Sequence, residues 1–295
     1  MTGPLHTLQS ETAPLASVLV KNVRDAWSGE AAVDAEWQSL GYAGRPARSR
    51  AQEEYDAFLA LLGKDRELEL IFAGPDRRTG LDSLYARDAA LATDRGVILC
   101  NMGKAARRGE PAAMADVFEN AGVPLLGAIE GEATLEGGDV AWLDTSSLAV
   151  GRSYRSNEAG IEQLRGLLGN AVEVIVADLP HWRGPSDILH LMSILSPLDE
   201  NLALAYSPLL PIRFREELLA RGIWIVEVAE EEFATQGCNV LALAPREALM
   251  VAGNPRTRDR LERAGVKVRE FAGAEICIKG GGGPTCLTRP LRRGG

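Results

Sequence analysis

The chain has 295 residues, 46% of them hydrophobic and 25% charged, with a formal net charge of −9. That balance is ordinary for a globular protein; its acidity argues against a phosphate-binding face for nucleic acid. No apolar run approaches the ~18 residues of a membrane span, and the N-terminus lacks the basic-then-apolar order of a secretory signal. The four cysteines, Cys100, Cys238, Cys277 and Cys286, contain no Cys-x-x-Cys pair. They predict neither a disulfide framework nor a metal site, and a reduced, cytoplasmic location is the expectation.

Residues 1–14 are polar and are expected to be disordered, His6 among them. Ser17–Lys21 reads as a short buried strand. Asn22 to Arg50 carries Trp27, Trp37 and Tyr42 among charges and glycines, as a mobile flap or a surface excursion would. From Arg50 to Leu62, Tyr55, Phe58, Leu59 and Leu62 have helical spacing. Leu68–Phe72 and Gly96–Cys100 read as strands, with Asp82 and Asp88 in the loop between them. Arg107-Arg108-Gly109-Glu110 opens a helix from Pro111 to Ala121.

Leu135-Glu136-Gly-Gly-Asp139 sets two acids around two glycines at a strand entrance, where backbone and ligand can approach closely. The loop holding Arg155 and Asn157 follows the strand Ser147–Val150, and Glu173–Ala177 is the next strand. Ile188-Leu-His190-Leu-Met is an apolar stretch around one of three histidines, with His181 as competitor for a chemical role. The second half continues the alternation: strands at Leu202–Tyr206, Ile223–Val226, Cys238–Leu243, Ala248–Ala252 and Val266–Glu270, and helices at Ile212–Ala220 and Arg256–Ala264. Strand pairs without an intervening helix, such as Cys238–Leu243 then Ala248–Ala252, argue against a purely parallel doubly wound sheet. No linker breaks the chain, so residues 1–295 are expected to form a single catalytic α/β domain.

Near the C-terminus, four glycines and Pro284 lead to Cys286. Glycine lets the backbone turn sharply and approach a bound group, while Pro284 fixes φ just before the cysteine. Ile276, Ile278, Leu287 and Leu291 anchor both sides. Such a turn suits a displayed nucleophile better than a flexible tail.

In this order, Asp88, Glu136-Gly-Gly-Asp139, His190 and Gly-Gly-Gly-Gly-Pro-Thr-Cys286 resemble the guanidine-modifying, or pentein, superfamily over roughly residues 15–293. That superfamily includes arginine deiminases, dimethylarginine dimethylaminohydrolases and amidinotransferases. The resemblance implies a five-bladed α/β propeller with pseudo-fivefold symmetry and a central site. It implies Cys286 as nucleophile, His190 as acid and base, Glu136 and Asp88 holding a guanidinium, and Asp82 and Asp139 beside them. Arg155, with Arg107 or Arg108, would take a substrate carboxylate.

His190-Leu-Met-Ser193, Arg107-Arg-Gly-Glu110, Arg155-Ser-Asn157 and Asp82, six residues before Asp88, are similar to dimethylargininase patterns. Met192 stands where deiminases and amidinotransferases carry an acid. Arg87-Asp88 and Gly-Gly-Gly-Pro-x-Cys are more similar to arginine deiminase, although the chain is short for that enzyme's extra helical domain. The implied activity is cysteine-dependent hydrolysis of a guanidino amino acid, foremost N-omega-methylated arginine, without cofactor or metal. The implied partner is that small molecule, not a nucleic acid or membrane, and a homodimer is compatible with this reading. Deiminase-like or amidinotransferase chemistry is the alternative. A non-catalytic guanidine-binding pentein would not need Cys286, His190 and Glu136 together, and a cysteine peptidase would leave both acids without a role.

Overall fold

The computed structural model describes residues 7–185, 187 and 189–294. Five three-stranded sheets arise from one repeated local rule. An apolar strand turns tightly into an antiparallel partner, and a crossover returns to a third strand parallel to the second. The strands are β1 (Leu15–Lys21) and β2 (Glu69–Ala73); β3 (Ala90–Thr93), β4 (Gly96–Leu99) and β5 (Leu125–Ala128); β6 (Val140–Asp144), β7 (Ser147–Arg152) and β8 (Glu173–Asp178); β9 (Leu195–Asp199), β10 (Leu202–Ala205) and β11 (Trp224–Glu227); β12 (Leu241–Ala244), β13 (Glu247–Val251) and β14 (Lys267–Phe271); and β15 (Thr288–Arg293). β3 to β14 make four blades in chain order, and β15 joins β1 and β2 to complete the fifth. The C-terminal strand therefore pairs with the first strand, antiparallel, and closes the ring.

The helices are α1 (Val23–Ala26), α2 (Glu30–Glu36), α3 (Arg48–Leu62), α4 (Glu110–Asn120), α5 (Glu158–Leu168), α6 (Leu191–Ile194), α7 (Ile212–Ala220) and α8 (Pro255–Arg263). The parallel step in each blade needs a helical crossover, because a hairpin cannot join parallel strands. α5 shows how the sequence specifies one. Asn157 Oδ1 accepts from the Gly160 amide at 2.9 Å, Ile161, Leu164 and Leu168 face the core, and Gly169 ends the helix at φ +69°. The chain is an α/β five-bladed propeller. Its axis is lined by the first strand of each blade, with β9 beside β12 and β15 beside β3.

α3 buries Ala51, Tyr55, Phe58 and Leu62 against the blade closed by β14. Full burial of a side chain such as Phe58 contributes about 1.5–3 kcal/mol. The Asn22–Arg50 segment is neither a free flap nor a mere excursion, because Trp27, Val33 and Tyr42 are core residues. It is pinned by Ala43 N–H to Lys279 C=O (2.8 Å) and Lys104 Nζ to Leu40 C=O (2.8 Å).

Residues 7–14, expected to be disordered, are folded. Glu11 is buried and pairs with the fully buried Arg87 at 2.8 Å, a charge that needs a partner to leave water. Residues 1–6, including His6, and Ile188 lie outside the described residues. Among those described, no helix is long and apolar enough to cross a membrane.

Candidate active site

Each blade's axis strand is entered through a turn, and each turn delivers one side chain to the same end of the axis. Asp88 precedes β3, Glu136 precedes β6, His190 precedes β9, Asn239 precedes β12 and Cys286 precedes β15. Hydrogen bonds tie each turn to the next around the ring. Arg87 N–H donates to Cys286 C=O (3.1 Å) and Gly137 N–H to Asp88 C=O (2.9 Å). Leu191 N–H donates to Asp139 Oδ1 (2.9 Å). Ser196 Oγ donates to Cys238 C=O (2.6 Å) and Asn239 Nδ2 to Cys286 Sγ (3.1 Å).

Glu136 and His190 are buried and joined, Oε2 to Nε2, at 2.8 Å. His190 Nδ1 lies 3.9 Å from Asp88 Oδ1. That Asp88 oxygen is buried and has no hydrogen-bond partner. Gly138 makes the approach possible, since a Cβ there would fall 2.5 Å from His190 Nδ1 and 2.6 Å from Asp88 Oδ1.

Burial opposes a charged imidazole, but Asp88, Asp139 and Glu136 outweigh it and raise His190 to about 9. Burial likewise works to raise Glu136, yet the bond and charge of His190, with Arg107 and Arg155, hold it at about 2. The pair is therefore a carboxylate and an imidazolium at neutral pH. One ligand atom each of Asp88, Glu136 and His190 falls within 4.8 Å of the others.

Cys286 is partly accessible, unlike the buried Cys100, Cys238 and Cys277. Burial, then the Asp88 charge, push its thiol up to about 11, while the Asn239 bond draws it down. The glycine-rich turn is shaped by what it touches. Gly281 sits at φ +79°, and a Cβ on Gly283 would fall 2.6 Å from the Asn239 side chain. The turn is preceded by a π-helical turn at Ala274–Ile278, whose Ile276 carbonyl accepts from Tyr85 Oη at 3.0 Å.

The expected arginines separate. Arg107 is not free to clamp a carboxylate. It is buried, with Nη1 on Asp88 Oδ2 (2.5 Å), Nε and Nη2 on Glu110 (2.9 and 2.8 Å), and Nη2 also on the Asp82 and Tyr85 carbonyls. It shapes Asp88 from behind. Arg108 is exposed. Arg155 is buried, with Nη1 a loose 3.7 Å from Glu136 Oε1. It lines a cavity of about 200 Å³ with Tyr154, His181, Trp182 and Leu189. Asp82 pairs with Lys104 Nζ at 2.6 Å rather than facing the cluster. Asp139 accepts from Ser153 Oγ (2.6 Å), Ser156 Oγ (2.8 Å) and Leu191 N–H (2.9 Å), so it braces the Arg155 turn and the start of α6. Burial raises it to about 6 against those bonds and the His190 charge. His181 bonds Tyr154 Oη at 2.6 Å in the outer cavity and is not part of the cluster.

Sequence reasoning missed Asn239, Lys104 and the serine pair. Asn239 was hidden inside a stretch read as strand from Cys238, whereas β12 starts at Leu241. A usable signal existed: Asp88, Asn239 and Cys286 each stand two residues before an axis strand. Lys104 N–H donates to Glu136 Oε1 at 3.0 Å, and Ser156 Oγ accepts from Glu136 N–H at 3.1 Å.

A five-bladed α/β propeller with acids, histidine and cysteine at one end of its axis defines a pentein of the guanidine-modifying class. The family model described as "N,N dimethylarginine dimethylhydrolase, eukaryotic" matches residues 28–293. The N(G),N(G)-dimethylarginine dimethylaminohydrolase of Pseudomonas aeruginosa is 27% identical over 83% of this chain and 90% of its own length. An arginine deiminase of Listeria welshimeri is 28% identical over 72% of the chain and 62% of its own. Among solved structures, the amidinotransferase SxtG from Microseira wollei superposes with a TM-score of 0.81 at 17% identity, covering 99% of this chain and 98% of that one. The chain belongs to the dimethylarginine dimethylaminohydrolase family, and is a hydrolase of amidine C–N bonds acting on guanidino compounds.

Proposed function

We propose that the protein hydrolyses N-omega-methylated arginine to citrulline and methylamine or dimethylamine through a covalent intermediate on Cys286. The observation that carries this reading is the unpartnered, buried Asp88 Oδ1 beside His190 and within electrostatic reach of the thiol. A planar cation with edge N–H donors satisfies that oxygen, and Glu136 receives a second edge. The same cation offsets the negative field that keeps Cys286 protonated. Binding thus helps generate the thiolate, the form that attacks.

Cys286 Sγ adds to the guanidinium carbon, and the C–N bond to the methylated amine breaks as His190 delivers its proton. The product of this step is an S-alkylthiouronium. His190, now neutral, takes a proton from water; the hydroxide adds to the same carbon, the C–S bond breaks as the new hydroxyl gives its proton to the departing sulfur, and the ureido product leaves the Cys286 thiol and a recharged His190 behind. Glu136 holds the imidazole's orientation and charge throughout. Arg155 is assigned to the substrate carboxylate, with Arg107 confined to supporting Asp88.

A second reading, release of ammonia from arginine itself, is favoured by the match to an arginine deiminase. A substrate panel of arginine, methylated arginines and agmatine decides between them, with ureido product and released amine both measured. Faster turnover of methylated arginine supports the proposal; a preference for arginine or agmatine overturns it. Cys286→Ser should fold but lose turnover, and full activity in that variant would remove Cys286 from its role.

A further inference from the structure

Four of the five axis-strand turns present a group with an assigned part in the proposed reaction. The fifth presents Asn239, which has none. Its side chain is held from two directions. Asn239 Oδ1 accepts from the Thr285 amide at 3.0 Å. Because that amide can only donate, the carboxamide orientation is decided: oxygen faces Thr285, and Nδ2 faces Cys286 Sγ at 3.1 Å.

The backbone on either side is also clamped. Ser196 Oγ, fully buried in β9, donates to Cys238 C=O at 2.6 Å and accepts from Val240 N–H at 3.1 Å. The blade carrying His190 thus sets the position of the residue that touches the thiol. Gly283 leaves no space between them, its missing Cβ lying 2.6 Å from Asn239 Cγ.

We propose that Asn239 is the positioning residue for Cys286, its Nδ2–H fixing the sulfur and favouring the thiolate over the thiol. The inference rests on the reading of Cys286 as nucleophile. The other groups around the sulfur make such a donor necessary. Burial, then Asp88, raise the thiol; Tyr85 and Cys277 are neutral neighbours on the flanking turns, and Arg87 offsets Asp88 only in part. A fixed amide donor gives the thiolate a partner that does not compete for protons.

The test needs no substrate. Alkylation by iodoacetamide is followed against pH in the unmodified protein, Asn239→Ala and Asn239→Asp, with mass spectrometry locating the adduct at Cys286. Loss of a hydrogen bond to an ionised group should move the alkylation midpoint up by about one to two pH units in Asn239→Ala. Asn239→Asp should move it at least as far, since it keeps the acceptor for Thr285 and replaces the donor with a like charge.

Turnover should fall about 10–100-fold near neutral pH, and the ratio of variant to parent should rise as pH approaches the thiol midpoint. A role in packing alone would lower it equally at every pH. An unmoved midpoint in folded variants overturns the proposal. So does loss of fold in both, which would assign Asn239 to the blade junction only. If the midpoint moves but no guanidino compound is turned over, the hydrolase reading fails and the role of Asn239 stands. If guanidino compounds are turned over while the midpoint stays put, the hydrolase reading stands and the role of Asn239 fails.

Discussion

Replacing Glu136 by Gln is the sharpest probe of the acid–base pair. The substitution keeps the side chain's size but removes the charge from an oxygen 2.8 Å from His190 Nε2, in a spot where both residues are buried. A hydrogen bond to an ionised partner contributes about 1.5–3 kcal/mol, against about 0.5–1.5 for a neutral one. At 1.36 kcal/mol per pKa unit, outright loss of the Glu136 interaction lowers His190 by about one to two units. From about 9 in the parent, this places the variant between about 7 and about 8.

The sign follows from the direction of the change. An imidazolium with a raised pKa is present below that pKa and disappears as pH rises through it. Its contribution to stability is likewise fully present below the ordinary value of 6.5 and is lost through about 9. The alkaline limb of the His190 imidazole titration, followed directly by NMR, should therefore lie near 9 in the parent and one to two units lower in the variant. Loss of one acid from the guanidinium site lowers the rate as well, but the position of the limb does not depend on that loss. A variant whose limb remains with that of the parent would refute the assignment of His190 as the proton donor held charged by Glu136.

Arg155→Ala should raise KM about 10–150-fold for carboxylate-bearing substrates, the equivalent of one charge-assisted bond, and leave agmatine unchanged; equal effects on both would reassign Arg155 to Glu136. Gly138→Ala should cost about 1–3 kcal/mol in urea denaturation through overpacking and abolish turnover, because the new methyl occupies the gap between His190 and Asp88; a fully active variant would show that the gap is not needed. Glu11→Ala should cost about 3–5 kcal/mol by leaving Arg87 buried without its counter-charge. Unaltered urea stability would return residues 7–14 to a dispensable tail.

What could be read from the chain was the chemistry that leaves a local trace. Asp88, Glu136, His190 and Cys286 are legible as candidates because glycines or a strand boundary frame each acid and the thiol, and the fold brings them to one end of the axis. Fivefold repetition followed from strand pairs without an intervening helix only through a family resemblance, since sequence periodicity does not reveal that β15 pairs with β1 across the whole chain. Arg107 and Arg155 look alike in sequence, both in loops after strands. Only folding reveals that Glu110, three residues on, and Asp88 consume one of them. Glu11 was illegible for the same reason, its partner lying 76 residues away.

Asn239 is the more instructive omission. It is uncharged, sits in an apolar run, and carries no motif; its proposed role follows from its place before an axis strand. In a ring of five equivalent turns, position predicts convergence better than residue type does. A neutral side chain at the fifth position is then chemically sensible, because a further acid beside Asp88 would raise the thiol still more, and a lysine or arginine would compete with the cationic substrate for the acids. An amide supplies a donor to sulfur without adding either charge.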